Sequence, residues 1–420
     1  MTKPATSRPR RQAAIVFVLV TLGFDALGIG LVVPIVPRLV LQLSGEGASV
    51  ASFAVGGLVA TFALAQLIAS PLLGGLSDRF GRRPVILMSL GGYTLNYFLL
   101  AWAPSLVWLF VGRLIAGSMA ANTAASTAYI ADVTPPEDRA RRFGLIGATF
   151  SFGFVIGPAL GGVLGGIDLR LPFLVAAAIG CCNVLFGLLA LPESLPVERR
   201  QPFSWKGSNP VAALRMLRAD PSLSHLALAW SCLWFGLGTL QTVFVLSTGL
   251  RFGWGTERNG LALGLIGVCG AVVQGLLVRR IVATLGERRA AMIGFALSAA
   301  SYCLLAFATH GWMVYAAVVV LAFGNIANPS VRALISQAAG PERQGRVMGA
   351  LSAVEGLTAI VSPVVAALLF SHFAGPGAWL SLPGVPFLVG AMAYLGAVLA
   401  IHRGIALSPK LVAKLAPSPP

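Results

Sequence analysis

Long apolar runs separated by short polar loops make up nearly the whole chain. A membrane-spanning helix needs about 20 mostly apolar residues, and twelve runs meet that length. The predicted spans, numbered one to twelve, are 13–41, 52–76, 84–103, 106–131, 143–166, 171–191, 222–249, 259–283, 290–309, 312–336, 346–372 and 384–402. The longest polar stretch, 192–221, follows the sixth run. The pattern predicts an all-α membrane protein with two six-helix bundles, 1–191 and 222–420, joined by a cytoplasmic linker, 192–221.

The two predicted bundles repeat in sequence. A shift of 205 residues places PEDRARRFG (136–144) on PERQGRVMG (341–349) without a gap. The same shift places Gly81 on Gly286 and Pro158 on Pro363. One offset that serves several loops indicates an internal duplication. Two parallel repeats are typical of transporters that work by alternating access around a site near the membrane midplane.

The composition supports this class. Of the 420 residues, 57% are hydrophobic and 10% are charged, whereas about 25% are charged in an ordinary soluble domain. So few charges cannot cover the surface of a soluble enzyme of this length, and the apolar content excludes a disordered chain. Cysteines occur only within apolar runs, which predicts buried free thiols and neither disulfides nor a metal site. They are Cys181, Cys182, Cys232, Cys269 and Cys303.

The net charge of +16 reflects membrane topology and not nucleic-acid binding, because the basic residues form short clusters between the spans. If the N-terminus is cytoplasmic, that side carries 24 of the 30 Lys and Arg residues, and the other side carries 4. The remaining two, Arg113 and Arg332, lie within spans. This distribution follows the positive-inside rule. It predicts a multi-pass protein with both termini in the cytoplasm.

The loop GGLSDRFGRRP (74–84), between spans two and three, predicts a conformational latch. Asp78 ends span two, where it can accept hydrogen bonds from the amino-terminal amides of another helix. The arginines can anchor the loop at the anionic leaflet. A plain basic loop would explain the arginines but neither the acid nor the glycines. The predicted latch residues are Asp78, Arg79, Gly81, Arg82, Arg83 and Asp132, the acid at the end of span four.

Span five contains the run GFVIGPALGGVLGG (153–166). Glycines that recur every four residues line one helix face and permit close backbone contact with a neighbouring helix, and proline allows a bend. Generic tight packing would produce the same pattern. The residues of this predicted helix motif are Gly153, Gly157, Pro158, Gly161 and Gly162.

These motifs carry a family resemblance. The loop fits G-x-L-x-D-R-x-G-R-R, which resembles the loop signature of the major facilitator superfamily, and span five resembles the antiporter signature of its drug-efflux branch. FDALGIGLVVPIVPRLV (24–40), GRLIAGS (112–118) and RFGW (251–254) are similar to stretches of the bacterial tetracycline/proton antiporters. The resemblance covers most of the chain and is densest over 20–165. It implies a major facilitator fold and proton-coupled efflux of amphipathic, drug-like compounds across the bacterial inner membrane, with tetracycline-like compounds as one candidate class.

The resemblance also implies the partners, which are a small amphipathic substrate, protons and the lipid bilayer, with a functional monomer and without nucleic acid or cofactor. One alternative is a proton symporter or facilitator that takes up a small metabolite. A membrane-embedded enzyme would need a nucleophile–base set or metal ligands at one depth, and the sequence contains neither His-x-x-x-His nor G-x-x-x-x-G-K-[ST]. A receptor that does not transport is a further alternative.

Asp25 and Glu355 are the two acids well inside spans. An ionised carboxylate in a bilayer is costly, so each is expected to face a cavity or a partner. By resemblance, Asp25 belongs to the substrate or proton pathway, and Arg113 is its most available partner. Glu355 departs from the family pattern. It is either a second proton carrier or an acid held by hydrogen bonds for packing.

Other polar positions complete the predicted pathway. Asn96 stands where the tetracycline pumps usually carry an acid, and Ser298 stands near another such position, which puts tetracycline itself in doubt. Trp234 shares a face of span seven with Trp230 and Gln241, where indole rings can stack on a planar substrate or simply pack in the core. Span ten presents Asn325 and Asn328 on one face with Arg332, consistent with a hydrated path.

Overall fold

The computed structural model describes residues 8–120, 122–135, 138–200, 210–340, 343–375, 378 and 382–406. Parts of the predicted linker (201–209) and of the repeated loop segments (136–137 and 341–342) lie outside the described residues. The helices are α1 (Arg8–Val32), α2 (Val36–Ser44), α3 (Ala48–Phe80), α4 (Arg82–Ala101), α5 (Leu106–Ser118), α6 (Asn122–Val133), α7 (Arg139–Ile167), α8 (Leu171–Ala190), α9 (Pro210–Ala219), α10 (Pro221–Phe252), α11 (Thr256–Val272), α12 (Val278–Phe307), α13 (Gly311–Gly324), α14 (Ala327–Ala339), α15 (Gln344–Ala374) and α16 (Val385–Ala406). A 3₁₀ turn, Val197–Arg199, and a π-helical turn, Val273–Leu277, are also present.

Three predicted spans are each built from two helices. In span one, α1 and α2 meet at a bend of 41° on either side of Pro34, because proline cannot continue the hydrogen-bond ladder. Span four breaks between α5 and α6, and span ten breaks between α13 and α14. Each of these two pairs begins and ends within three residues of the predicted span, 106–131 or 312–336.

By length and composition, nine helices in the described residues can cross a membrane, or ten if the bent pair α1–α2 counts as one span. One of the nine runs for 52 residues from Thr256 to Phe307. It turns at Gly286, where φ is 73°, a conformation that glycine adopts without strain. That segment therefore supplies spans eight and nine. With span four formed by α5 and α6, all twelve predicted spans are accounted for.

The internal repeat is visible in the helix boundaries. The starts of α5, α6 and α7 precede those of α13, α14 and α15 by 205 residues each. A loop contact repeats as well. Arg82 Nε donates to Asp132 at 3.2 Å in the first half, and Gln337 Nε2 donates to Glu287 Oε1 at 3.3 Å in the second. The two halves are pseudo-symmetric, as the sequence predicts.

Part of the predicted linker is helical. The helix α9 lies within 192–221 and packs against α10 and α15 of the second half. At its end, the Asp220 carboxylate accepts hydrogen bonds from the backbone amides of Ser222 and Leu223, which caps α10. Arg343 lies 3.6 Å from the same carboxylate. The end of the linker is thereby tied to the beginnings of α10 and α15.

The halves meet along two seams, where α7 packs on α11 and α3 packs on α15. We call the end of the bundle with the turns α3–α4, α6–α7 and α14–α15 the basic end, and the other end the opposite end. Both seams are tight at the opposite end. There Ser52 Oγ donates to the Ala367 carbonyl at 3.1 Å in one seam, and a Cβ at Gly162 would lie 2.8 Å from Gly260 Cα in the other.

The same four helices carry unpacked glycines toward the basic end. Each carries a glycine there at which an added Cβ would meet no other described atom within 4 Å. These glycines are Gly74, Gly147, Gly270 and Gly349. Near the opposite end, a Cβ at Gly56 would lie 2.7 Å from the Pro363 carbonyl oxygen. The seams are therefore closely packed at the opposite end, and these four glycines take no part in such packing near the basic end.

The five cysteines are free. Cys181 and Cys182 are exposed on α8, and the other three are half-buried, so the predicted burial was wrong. An apolar run in a membrane protein contacts lipid as well as protein, and the sequence pattern alone does not distinguish the two environments.

Candidate functional site

The first half contains a cluster of one acid, one arginine and two tyrosines. Asp25 lies on α1, Tyr93 and Tyr97 lie one turn apart on α4, and Arg113 lies on α5. The Tyr97 hydroxyl packs against Gly28, one turn from Asp25. Asp25 and Arg113 both interact electrostatically with each tyrosine. The structure thus brings the two predicted charged residues to the same pair of phenols.

Neighbouring contacts orient the cluster. Thr21 Oγ1 donates to Asn183 Oδ1 at 3.0 Å, which fixes the face of α1 that carries Asp25 toward α8. The Arg113 guanidinium lies 5.9 Å from the centre of the Phe62 ring, within cation–π range. Its Nε is buried without a hydrogen-bond partner among the described residues. The sequence analysis missed both tyrosines, although their spacing of four on one span was a usable signal.

Asn96 is buried inside the first half. Its side chain is 1% exposed, and its Oδ1 lies 2.8 Å from where a Cβ at Gly112 would be. Neither Oδ1 nor Nδ2 has a hydrogen-bond partner in the described part of the chain. Asn96 is therefore packed between α4 and α5 in this conformation, and its place in the pathway stays a prediction.

Replacing Asn96 with aspartate is expected to destabilise the protein by about 3 kcal/mol, because an uncompensated charge would be buried. The variant Asn96→Leu has nearly the same shape and removes two unpaired polar atoms, so its stability should match or exceed that of the parent. Thermal unfolding in detergent compares the three proteins. A parental melting temperature for Asn96→Asp would show that the position is hydrated.

The second half contains a cluster of similar composition. Glu355 on α15 interacts electrostatically with Arg332 on α14. The Arg332 guanidinium lies 6.0 Å from the ring centre of Trp230 on α10. Trp234 lies one turn further along α10 and meets Trp230 edge to face, with 6.2 Å between the ring centres. Each half thus contains an acid, an arginine and two aromatic residues four positions apart.

Within this second cluster, both indole N–H groups are buried without a hydrogen-bond acceptor in the described residues. Trp230 is 3% exposed, whereas Glu355 is half-buried and Arg332 is exposed. Ser231 and Thr358 join α10 to α15 through their hydroxyl groups at 2.9 Å. The helices α10 and α15 are therefore joined beside the cluster, and the arginine is its exposed member.

The other predicted pathway residues do not join either cluster through a described hydrogen bond. Gln241 is exposed on α10, and Asn325 and Asn328 are half-buried at the break between α13 and α14. Ser298 is 4% exposed and donates to the carbonyl of Gly294 at 3.0 Å. This local bond satisfies its hydroxyl group.

The latch residues form a network at the basic end. Arg82 lies 2.6 Å from the Asp78 carboxylate and 3.2 Å from that of Asp132. In this conformation Asp78 therefore binds an arginine one turn away. Arg83 Nη2 donates to the Leu188 carbonyl at 2.8 Å, while Arg79 is exposed. Gly81 joins α3 to α4 with φ of 107°, which favours glycine.

Glu193 is a member of this network that the sequence analysis placed only in the linker. Its carboxylate accepts hydrogen bonds from the backbone amides of Arg82 at 2.9 Å and Arg83 at 3.3 Å. It thereby caps the amino-terminal end of α4, where a negative charge is favourable. The end of span six is tied to the latch loop in this way.

The glycine motif uses two faces of α7. Gly153, Gly157 and Gly161 press against the backbone of α1, and a Cβ at Gly157 would lie 2.7 Å from Gly30 Cα. Gly162 faces α11, where a Cβ would lie 2.8 Å from Gly260 Cα. Pro158 lies inside α7, which continues through it. The row of three glycines packs α7 against α1 within the first half, whereas Gly162 packs α7 against α11 in the seam between the halves.

The described part of the chain contains no group of three or more His, Cys, Asp or Glu side chains that could bind a metal ion.

Comparison with known proteins gives the family. The model of the Major Facilitator Superfamily matches residues 17–285 and 275–410. The class C tetracycline resistance protein of Escherichia coli is 38% identical over 93% of this chain and 97% of its own length. Multidrug resistance protein 2 of Bacillus subtilis is 32% identical over 86% of this chain and 90% of its own. The solved human organic anion transporter MFSD10 (TETRAN) is 26% identical, with a TM-score of 0.68 over 93% of this chain and 99% of that one. The chain therefore belongs to the Major Facilitator Superfamily and is a transporter and not an enzyme.

Proposed function

We propose that the protein exports amphipathic, drug-like compounds across a bacterial inner membrane in exchange for protons. The observation that carries the proposal is the presence of an acid, an arginine and paired aromatic residues inside each half of the bundle. A membrane-embedded carboxyl group can bind and release a proton as its surroundings change. The tetracycline and multidrug resistance proteins among the relatives support drugs as the substrate class.

The basic end is cytoplasmic in this proposal, with both termini on that side. The positive-inside count supports this orientation. Three of the few arginines at the opposite end form hydrogen bonds within the protein: Arg38, Arg170 and Arg251 each donate to a main-chain carbonyl. Such contacts near helix ends satisfy orphan carbonyl groups. The close contacts at the opposite end then correspond to a state that is closed to the outside, and one chain in the bilayer is the functional unit.

Transport then requires the reverse state. The two seams at the opposite end must separate, and the basic end must close. The latch is the element that biases this equilibrium, because Asp78 is bound to Arg82 in the present state and is available to another helix when the basic end closes. Proton uptake at Asp25 from the outside and release to the cytoplasm would complete each cycle.

The variant Asp78→Asn is expected to slow transport by about tenfold while leaving substrate affinity within about twofold, because a latch shifts a conformational equilibrium and contacts no substrate. Initial rates of drug uptake into inverted vesicles and equilibrium binding to purified protein measure the two quantities. Asp138→Asn, an exposed acid at the same end, is the control. Parallel losses of binding and rate would place Asp78 at the substrate site.

Drug accumulation in cells tests the proposed function. Cells that express the protein should accumulate less tetracycline or ethidium than cells with an empty vector, and a protonophore should abolish the difference. Uptake of a small metabolite by symport, the alternative, predicts no protection against either drug. Equal accumulation of a panel of hydrophobic drugs with and without the protein would contradict the proposal.

A further inference from the structure

The cluster of Trp230, Trp234, Arg332 and Glu355 in the second half has the chemistry of a ligand site. Its charged and aromatic members lie about 10–20 Å from the basic end, given 1.5 Å per helical residue. They are thus within about 10 Å of one another in depth on three different helices. In the proposed function the basic end is cytoplasmic, and the cytoplasm is the side from which an exported ligand enters.

The Arg332 side chain itself makes one of the contacts that a bound cation would make in such a site. Its guanidinium lies over the face of Trp230 and within electrostatic range of Glu355. The centre of an aromatic face and a neighbouring carboxylate are the two elements that bind organic cations. No ion pair of 4 Å or less joins Arg332 to an acid in the described residues, so this exposed side chain can leave the indole ring.

The buried indole N–H groups supply a second, independent observation. Trp230 and Trp234 each carry a donor without an acceptor among the described residues. A buried donor left unpaired costs about 1–3 kcal/mol. A ligand with a carbonyl or hydroxyl oxygen beside its charged group would satisfy these donors while its ring system covers the indoles.

The proposed exchange with protons predicts the charge of the ligand. The two ligands of an antiporter must weaken each other's binding. A proton on Glu355 and a cation beside its carboxylate exclude each other. An anion bound to Arg332 would instead favour the protonated acid, so the anion and the proton would bind together and move in the same direction.

We propose that Arg332 occupies, in the empty transporter, the place that the cationic group of an exported compound takes, so that Arg332 is an internal competitor that determines substrate charge. The ligand class is an amphipathic organic cation with a planar ring system and an adjacent hydrogen-bond acceptor. This inference rests on the proposed exchange of drug for protons. An organic anion, the substrate class after which the solved human relative is named, is the rival occupant.

Three dyes separate the possibilities by equilibrium binding to the purified full-length protein in detergent. Ethidium is a permanent cation. The other two dyes share a ring system and differ in charge: 8-anilinonaphthalene-1-sulfonate is an anion, and N-phenyl-1-naphthylamine is neutral. In the variant Glu355→Gln, ethidium affinity should fall about tenfold, because the carboxylate is lost. In the variant Arg332→Gln, it should rise about threefold or more, because the competitor is lost. Arg332→Lys keeps the charge and should behave nearly as the parent.

Matched controls are Glu257→Gln and Arg280→Gln, which change exposed residues of the same types and should leave every affinity unchanged. Neutral-dye affinity should be the same in all variants. Lower ethidium affinity in Arg332→Gln, preference of the parent for the anionic dye, or parallel changes with the neutral dye would overturn the inference. These binding measurements are independent of transport. If the protein exchanges drug for protons but does not give these binding results, the proposed function stands and only the role assigned to Arg332 is wrong.

Discussion

Replacing Asp25 with asparagine is expected to reduce proton-driven drug accumulation to the background of empty vesicles. Asparagine keeps the size and much of the hydrogen bonding of aspartate but cannot exchange a proton at physiological pH. The acid is half-buried on α1 and interacts with the tyrosines that Arg113 also contacts electrostatically. A change of protonation at Asp25 therefore alters the charge balance of the whole cluster when the halves move.

The measurement is drug accumulation in inverted vesicles at matched expression, with a melting curve to show that the variant is folded. Asp168→Asn makes the same chemical change at an exposed loop and should transport as the parent does. Full accumulation by Asp25→Asn would show that this acid has a structural role only.

Replacing Gly162 with valine should hold the transporter open at the opposite end. In the present state a Cβ at Gly162 would lie 2.7 Å from the Thr256 carbonyl oxygen and 2.8 Å from Gly260 Cα. Overlap of this kind typically costs about 1–3 kcal/mol. The cost vanishes when α7 and α11 separate, so the equilibrium should shift toward the outward-open state by about tenfold or more.

Labelling of Ser49→Cys with a membrane-impermeant maleimide reports this opening, since Ser49 is 8% exposed in the closed seam. The native cysteines are replaced by alanine for the experiment. Labelling should increase with Gly162→Val and stay low with Gly166→Val, because a Cβ at Gly166, one turn away, meets no described atom within 4 Å. Equal labelling in both variants would show that Gly162 does not control closure.

The spans and the repeat were predictable because hydrophobic length and a constant offset are one-dimensional signals. The breaks between α5 and α6 and between α13 and α14 were not, since each lies inside a run that is long enough to form one span. Asn96 shows a second limit. Its position in a family pattern does not show which helix its side chain faces. In the structure the side chain packs against Gly112 of α5, because glycine allows this close approach.

The missed site residues have physical explanations too. Tyr93 and Tyr97 are amphipathic and resemble ordinary packing residues until α1 places Asp25 beside them. Glu193 was assigned to a linker by its polar surroundings, although its carboxylate caps α4 from more than a hundred residues away. Contacts between distant segments determine both roles, and local sequence patterns do not contain them.

The central claim is that drug movement and proton movement are opposed and obligatorily linked. Inverted membrane vesicles acidified inside by respiration, with a fluorescent ΔpH probe, test it directly. Addition of tetracycline or ethidium should release internal protons and restore fluorescence in vesicles that contain the protein, and vesicles with Asp25→Asn should show no response. Further acidification on addition of a drug, or no response to any transported compound, would contradict the account.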